Sequence, residues 1–146
     1  MNKDTSLLIE RLLDMPCWII DILPQRVGKD MSDKYVALER ELLHTDELRT
    51  KLFRFLLKLN CYYRFKVILP DAEEIVDIST VRIKELVGYR YIKILIGDSL
   101  IVSDPDDMYM SLYNPTDTML DLMSKLAGSE GLYIWRVEDA VSDHKE

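Results

Sequence analysis

A chain of 146 residues is long enough to bury one core without metal or disulfide support, and 48% hydrophobic with 31% charged residues is a globular rather than a disordered composition. The net charge of −7 argues against a polyanion as the principal partner. Two cysteines are too few for a disulfide scaffold or a four-cysteine zinc site, so buried free thiols are expected at Cys17 and Cys61.

Glu10, Arg11 and Asp14 interrupt the first apolar stretch before it reaches signal-peptide length, and the uncharged run Met15–Ile20 is far short of the roughly 20 residues of a bilayer span. A cytoplasmic location with no membrane contact is therefore expected. Thr5–Asp14, with Leu8 and Leu12 on one side and Glu10, Arg11 and Asp14 on the other, predicts an amphipathic helix. Cys17–Leu23 is rich in branched and aromatic residues and closed by Pro24, which predicts a strand buried on both faces. Residues 24–34 read as a loop, and Tyr35–Leu43, which fits either period, is assigned to a strand.

Thr45–Leu59 carries the stripe Leu48, Leu52, Phe55, Leu56, Leu59 behind a capping Thr45 or Asp46 and is the main helix; Phe53 and Leu57 widen its apolar face beyond one stripe. Tyr62–Leu69 alternates as a strand with one wetter face, Asp71–Glu74 form an acidic turn, and Ile75–Val87 hold a short strand and a helical turn ending near Gly88. Tyr91–Ile96 and Ser99–Ser103 flank Gly97-Asp98 as a tight hairpin. Asn114 as cap, Pro115 in the first turn and Gly128 as stop delimit a last helix with Met119, Leu122, Met123 and Leu126 on one face. Leu132–Val137 reads as a final strand. This mixed order predicts a single α+β domain over residues 4–137, a mainly antiparallel sheet with about three helices packed on it, and a polar tail over 138–146.

Charge is unevenly spread. Residues 49–93 hold ten basic against five acidic side chains, residues 1–48 six against ten, and residues 94–146 three against eleven. Lys51, Arg54 and Lys58 align on the main helix as a basic ridge, either a nucleic-acid contact or a solvated helix face. The acidic C-terminal half either faces a basic partner or keeps the chain soluble, the plainer reading.

Motifs for cofactors, metals and catalysis are missing: there is no phosphate-binding glycine loop, zinc spacing, hydrolase turn or dinucleotide fingerprint. Asp104-Pro105-Asp106-Asp107 fails as a calcium loop because Tyr109 and Pro115 stand where glycine and glutamate are needed. A cysteine–histidine pair would have to join His44 to Cys17 or Cys61, with no supporting motif. Asp21, a carboxylate in an apolar strand, is either an ion-paired or edge residue or a general base or ligand contact, and Asp77 poses the same question. Tyr62, Tyr63, Tyr89, Tyr91, Tyr109, Tyr113 and Tyr133 are common residues of interfaces as well as of cores.

The expected function is a non-catalytic protein-binding or accessory module, such as an immunity-protein-like antagonist or a homodimer, with Met108, Tyr109, Met110, Tyr113, Phe53 and Leu57 as candidate contact residues and with no cofactor or metal. The alternatives are a small enzyme or ligand binder using Asp21 and tyrosines, and nucleic-acid binding through Lys51, Arg54 and Lys58.

Overall fold

The computed structural model describes residues 2–138. Seven strands form one antiparallel sheet: β1 (Cys17–Asp21), β2 (Lys66–Ile68), β3 (Glu74–Val76), β4 (Ile92–Ile96), β5 (Ser99–Ser103), β6 (Met110–Tyr113) and β7 (Tyr133–Arg136), in the order β3-β2-β4-β5-β6-β1-β7. Five helices accompany it: α1 (Lys3–Leu12), α2 (Ser32–Leu42), α3 (Asp46–Asn60), α4 (Thr80–Leu86) and α5 (Asp117–Ser129), with a short 3-10 turn at Lys29–Met31. The α+β class and antiparallel sheet stand, while the helix count rises from about three to five.

Two of the additional elements correct the sequence reading. Residues 35–42 are helical because Tyr35, Leu38 and Leu42 pack together on the core while Val36 points to water, a 3.6-residue period that the local alternation obscures. Residues 110–113, assigned no element from sequence, form β6 between β5 and β1. β1 ends at Asp21 instead of Leu23 and lies second from the sheet edge.

The last helix is punctuated differently from expectation. Thr116 is its cap, accepting the Met119 N–H at 3.1 Å. Asn114 instead takes a positive φ of 56° and donates from Nδ2 to the Asp98 carbonyl, fastening the β4–β5 hairpin, whose Gly97 has φ 57°. The stop is Gly131 (φ 74°), not Gly128: the Leu132 N–H reaches back to the Ala127 carbonyl at 2.8 Å, a left-handed cap that glycine adopts without strain. At the N-terminus Asn2 caps α1 by accepting the Thr5 N–H at 2.7 Å.

Strand register separates the two faces of the sheet. On the first, Val67, Ile94, Ile101, Leu112 and Trp18 form a cross-strand row beside Ile92, Met110, Ile20 and Ile134. The main core lies here, with Leu52, Phe55, Leu56 and Leu59 of α3, Ile83 and Leu86 of α4, and Met119 and Met123 of α5. On the second face Ile68, Leu95 and Leu100 are covered by Ile9 and Leu12 of α1. That cover reaches Tyr113, and among the described residues no helix packs extensively on β1, while α5 meets β7 on the main-core side through Ile134.

Candidate functional site

The half of the second face beyond α1 is built by the alternation of three strands. Tyr113 and Cys17 are cross-strand partners, Ser111, Ile19 and Trp135 form the next row, and Asp21 pairs with Tyr133. Tyr109, just before β6, feels the Asp21 and Cys17 side chains, and Tyr113 feels Tyr91, so Tyr91 and Tyr109 border the same surface. Tyr133 and Tyr91 are both exposed, whereas Ile19, between Ser111 and Trp135, is buried. Burial, followed in effect by nearby Asp107, Asp21 and Asp104, raises the Tyr109 pKa, and burial also raises those of Tyr91 and Tyr113. All three stay neutral at physiological pH and keep a hydroxyl donor.

Asp21 occupies the end of this surface at 3% exposure. Among the described residues it makes no ion pair, and it does not face solvent as an edge residue would. It terminates β1 by accepting the Ile22 N–H at 2.7 Å. Burial pushes its pKa up, and the Leu23 and Ile22 amides and the Trp135 indole offset this only in part. The buried Trp135 Nε1 lies near enough to favour the charged carboxylate yet outside hydrogen-bond geometry with it. From α2, Tyr35 reaches the same end; burial first, then Asp21, Glu39, Tyr109 and Asp107, push its pKa to about 12.

The turn between β5 and β6 completes a carboxylate rim. Asp104 organises it by accepting the Asp106 N–H at 2.9 Å, with the Asp107 N–H on its carbonyl at 3.1 Å. Burial, then Asp104, Glu39 and Asp106, raise the Asp107 pKa. Among the described residues none of Asp21, Glu39, Asp104, Asp106 and Asp107 makes an ion pair, and no group of three or more acidic, histidine or cysteine side chains is arranged to hold a metal ion.

Of the candidate contact residues, Met108 and Met110 are 0% exposed and belong to the core, so any contact at this segment falls to Tyr109 and Tyr113. Phe53 and Leu57 are half-buried against the main core on α3. They do not share the surface around Asp21.

The basic ridge is tied down. Arg54 Nε lies 3.0 Å and Lys58 Nζ 2.6 Å from the two carboxylate oxygens of Glu130, and Lys51 Nζ approaches the Glu130 carbonyl at 3.5 Å. Glu130 sits at the C-terminus of α5, so the three cations also face the negative end of that helix. The ridge joins α3 to α5.

The remaining candidates scatter. His44 lies between α2 and α3 and Cys61 caps the far end of α3, about 22 Å along the helix axis at 1.5 Å per residue. Cys17 lies on the sheet face away from α3, and burial pushes its thiol pKa up, against the thiolate that nucleophilic chemistry needs. Both cysteines are free, but Cys61 is exposed and Cys17 half-buried, a correction to the expectation of buried thiols. Asp77 is an exposed turn residue (φ 51°) paired with Arg64 at 3.1 Å. His144 and most of the expected polar tail lie outside the described residues.

Two open depressions are lined by Asn60–Arg64 with Asp77 and Ile78, and by Asp14–Cys17 with Arg136–Glu138, and Asp21 lines neither. Sequence reasoning missed Tyr35, Glu39, Trp135 and Glu130. Tyr35 and Glu39 were one helical turn apart in a segment assigned to a strand, and only the fold brings Trp135 beside Ile19. Comparison with protein-family models, curated proteins and solved structures finds no match. No helix among the described residues is long and apolar enough to cross a membrane.

Proposed function

We propose that the chain is a non-catalytic protein-binding module whose contact surface is the tyrosine-rich half of the second sheet face. The observation that carries this reading is the surface itself, where Tyr91, Tyr109, Tyr113, Tyr133 and Trp135 cluster on the side of β1 and β7 opposite the main core, beyond the cover of α1. Tyrosine and tryptophan are enriched at protein interfaces because each buries a large rigid ring at low entropic cost and keeps a polar end for hydrogen bonding. An antagonist of a toxin or a homodimer both fall within this class. The engagement of the basic ridge by Glu130 supports placing nucleic acid last among the partners.

The test is affinity capture from the native host with the wild-type chain and with the double variant Tyr91→Ala/Tyr133→Ala, whose side chains are exposed enough to leave the fold intact. A stoichiometric partner held by the first and lost by the second is the expected result, with light scattering distinguishing a second copy from a different protein. A partner held equally by both would move the contact elsewhere. A small-ligand site at Asp21 is the second reading, favoured by the buried Trp135 indole N–H that lacks a well-placed acceptor beside a carboxyl group of raised pKa. Saturable change in indole fluorescence on titration with small hydrogen-bond acceptors, abolished in Trp135→Phe, is its expected signature.

A further inference from the structure

We infer that the occupant of this face is a lysine- or arginine-rich segment of another protein. The inference rests on the reading of the face as a protein-contact surface and adds the chemistry of the partner.

Charge complementarity is the first argument. Many exposed carboxylates elsewhere make no ion pair, but those away from the rim that are at least half-buried do find cations within the chain, Glu74 with Lys66 and Glu130 with Arg54 and Lys58. The rim beside Tyr109 does not, since Asp21, Glu39, Asp104, Asp106 and Asp107 make no ion pair among the described residues, although Lys34 and Arg40 share a helix with Glu39. Lys93, on the same sheet face, stacks over the Tyr91 ring at 5.8 Å. Within the rim Asp107 is repelled by Asp104, Glu39 and Asp106, and an arriving cation relieves that repulsion while an anion adds to it.

The second argument is the surface the rim borders. Neutral tyrosine rings present the negative faces that attract guanidinium and ammonium groups, as Lys93 over Tyr91 and Arg136 over Trp18 at 5.3 Å already do within the fold. The aromatic surface spans β6, β1 and β7, more than a single inorganic or amine cation covers. A polypeptide carrying several cations fits both features.

The test titrates the isotopically labelled full chain with two synthetic peptides of equal length, one alternating arginine or lysine with leucine and tyrosine, the other with glutamate in place of each cation. The expected result is saturable shifts of the amides of residues 17–21, 109–113 and 133–136 with the cationic peptide alone. Affinity is expected to drop about tenfold when salt is raised from about 50 to about 300 mM. It is also expected to drop at least about tenfold in the triple variant Asp104→Asn/Asp106→Asn/Asp107→Asn, in line with the loss of several close charge pairs. No binding, or shifts spread over acidic residues remote from this face, overturns the inference. Binding that is lost in Tyr91→Ala/Tyr133→Ala but indifferent to salt and to the triple variant leaves the contact face in place and removes the cationic partner. Indifference to both variants removes the two together.

Discussion

Two charged regions of this molecule are handled in opposite ways. On α3 the cations of Lys51, Arg54 and Lys58 converge on Glu130, whose side chain is only 6% exposed, and the charges become part of the packing between α3 and α5. At the end of β1 the carboxylates of Asp21, Glu39, Asp104, Asp106 and Asp107 gather without an ion pair among the described residues; burial raises the pKa of Asp21, and burial followed by repulsion from Asp104, Glu39 and Asp106 raises that of Asp107. A run of like charge is therefore informative only once its partner is known: a compensated ridge contributes to the fold, whereas an uncompensated rim is maintained at some cost to it.

The contrast breaks most visibly at Glu130. Replacing it with alanine is expected to lower stability by about 2–3 kcal/mol in urea unfolding, below the roughly 3–5 kcal/mol of a fully buried pair because Arg54 and Lys58 are partly exposed. A loss under about 0.5 kcal/mol would reduce the ridge to a solvated helix face. Asp21→Asn is expected to move stability the other way, by less than about 1 kcal/mol, since the amide oxygen still accepts the Ile22 N–H while the buried charge is gone.

The pH dependence sharpens the second case. The folded carboxyl group of Asp21 has a pKa above its unfolded value, so the folded state retains a proton that the unfolded state has already lost. Stability contributed by this group therefore falls as pH rises from the ordinary carboxylate value through the raised one, and the full penalty applies above it. The urea midpoint of Asp21→Asn relative to wild type is expected to climb through that window and then level; a constant difference would place the carboxylate in water. Asp107→Asn should show the same sign with smaller amplitude, its side chain being less buried. Lys51→Ala is expected to stay within about 0.5 kcal/mol, because its contact with the Glu130 carbonyl is long.

Sequence pattern was most legible where local chemistry decides. The β4–β5 hairpin follows from Gly97-Asp98, and α3 follows from its stripe and Thr45 cap. It was least legible where a distant element decides. Residues 35–43 satisfy both periods, and packing of Tyr35, Leu38 and Leu42 on the core selects the helix. The segment around Met108 and Met110 looked like an exposed patch because β6 gains both its neighbours, β5 and β1, only through the sheet. Asp21 was recognised as an anomaly, but its surroundings come from α2, the β5–β6 turn and β7, none of which adjoins it in the chain.

The position of β1 also bears on the order in which the molecule can be assembled. Residues 17–21 are made before either of the strands that flank them, residues 110–113 and 133–136. Strands β2 to β5 find partners among themselves within residues 66–103, whereas β1 must wait with Ile19 and Ile20 exposed until a long loop closes. Translation rate and chaperone access over that interval thus bear directly on the yield of native protein.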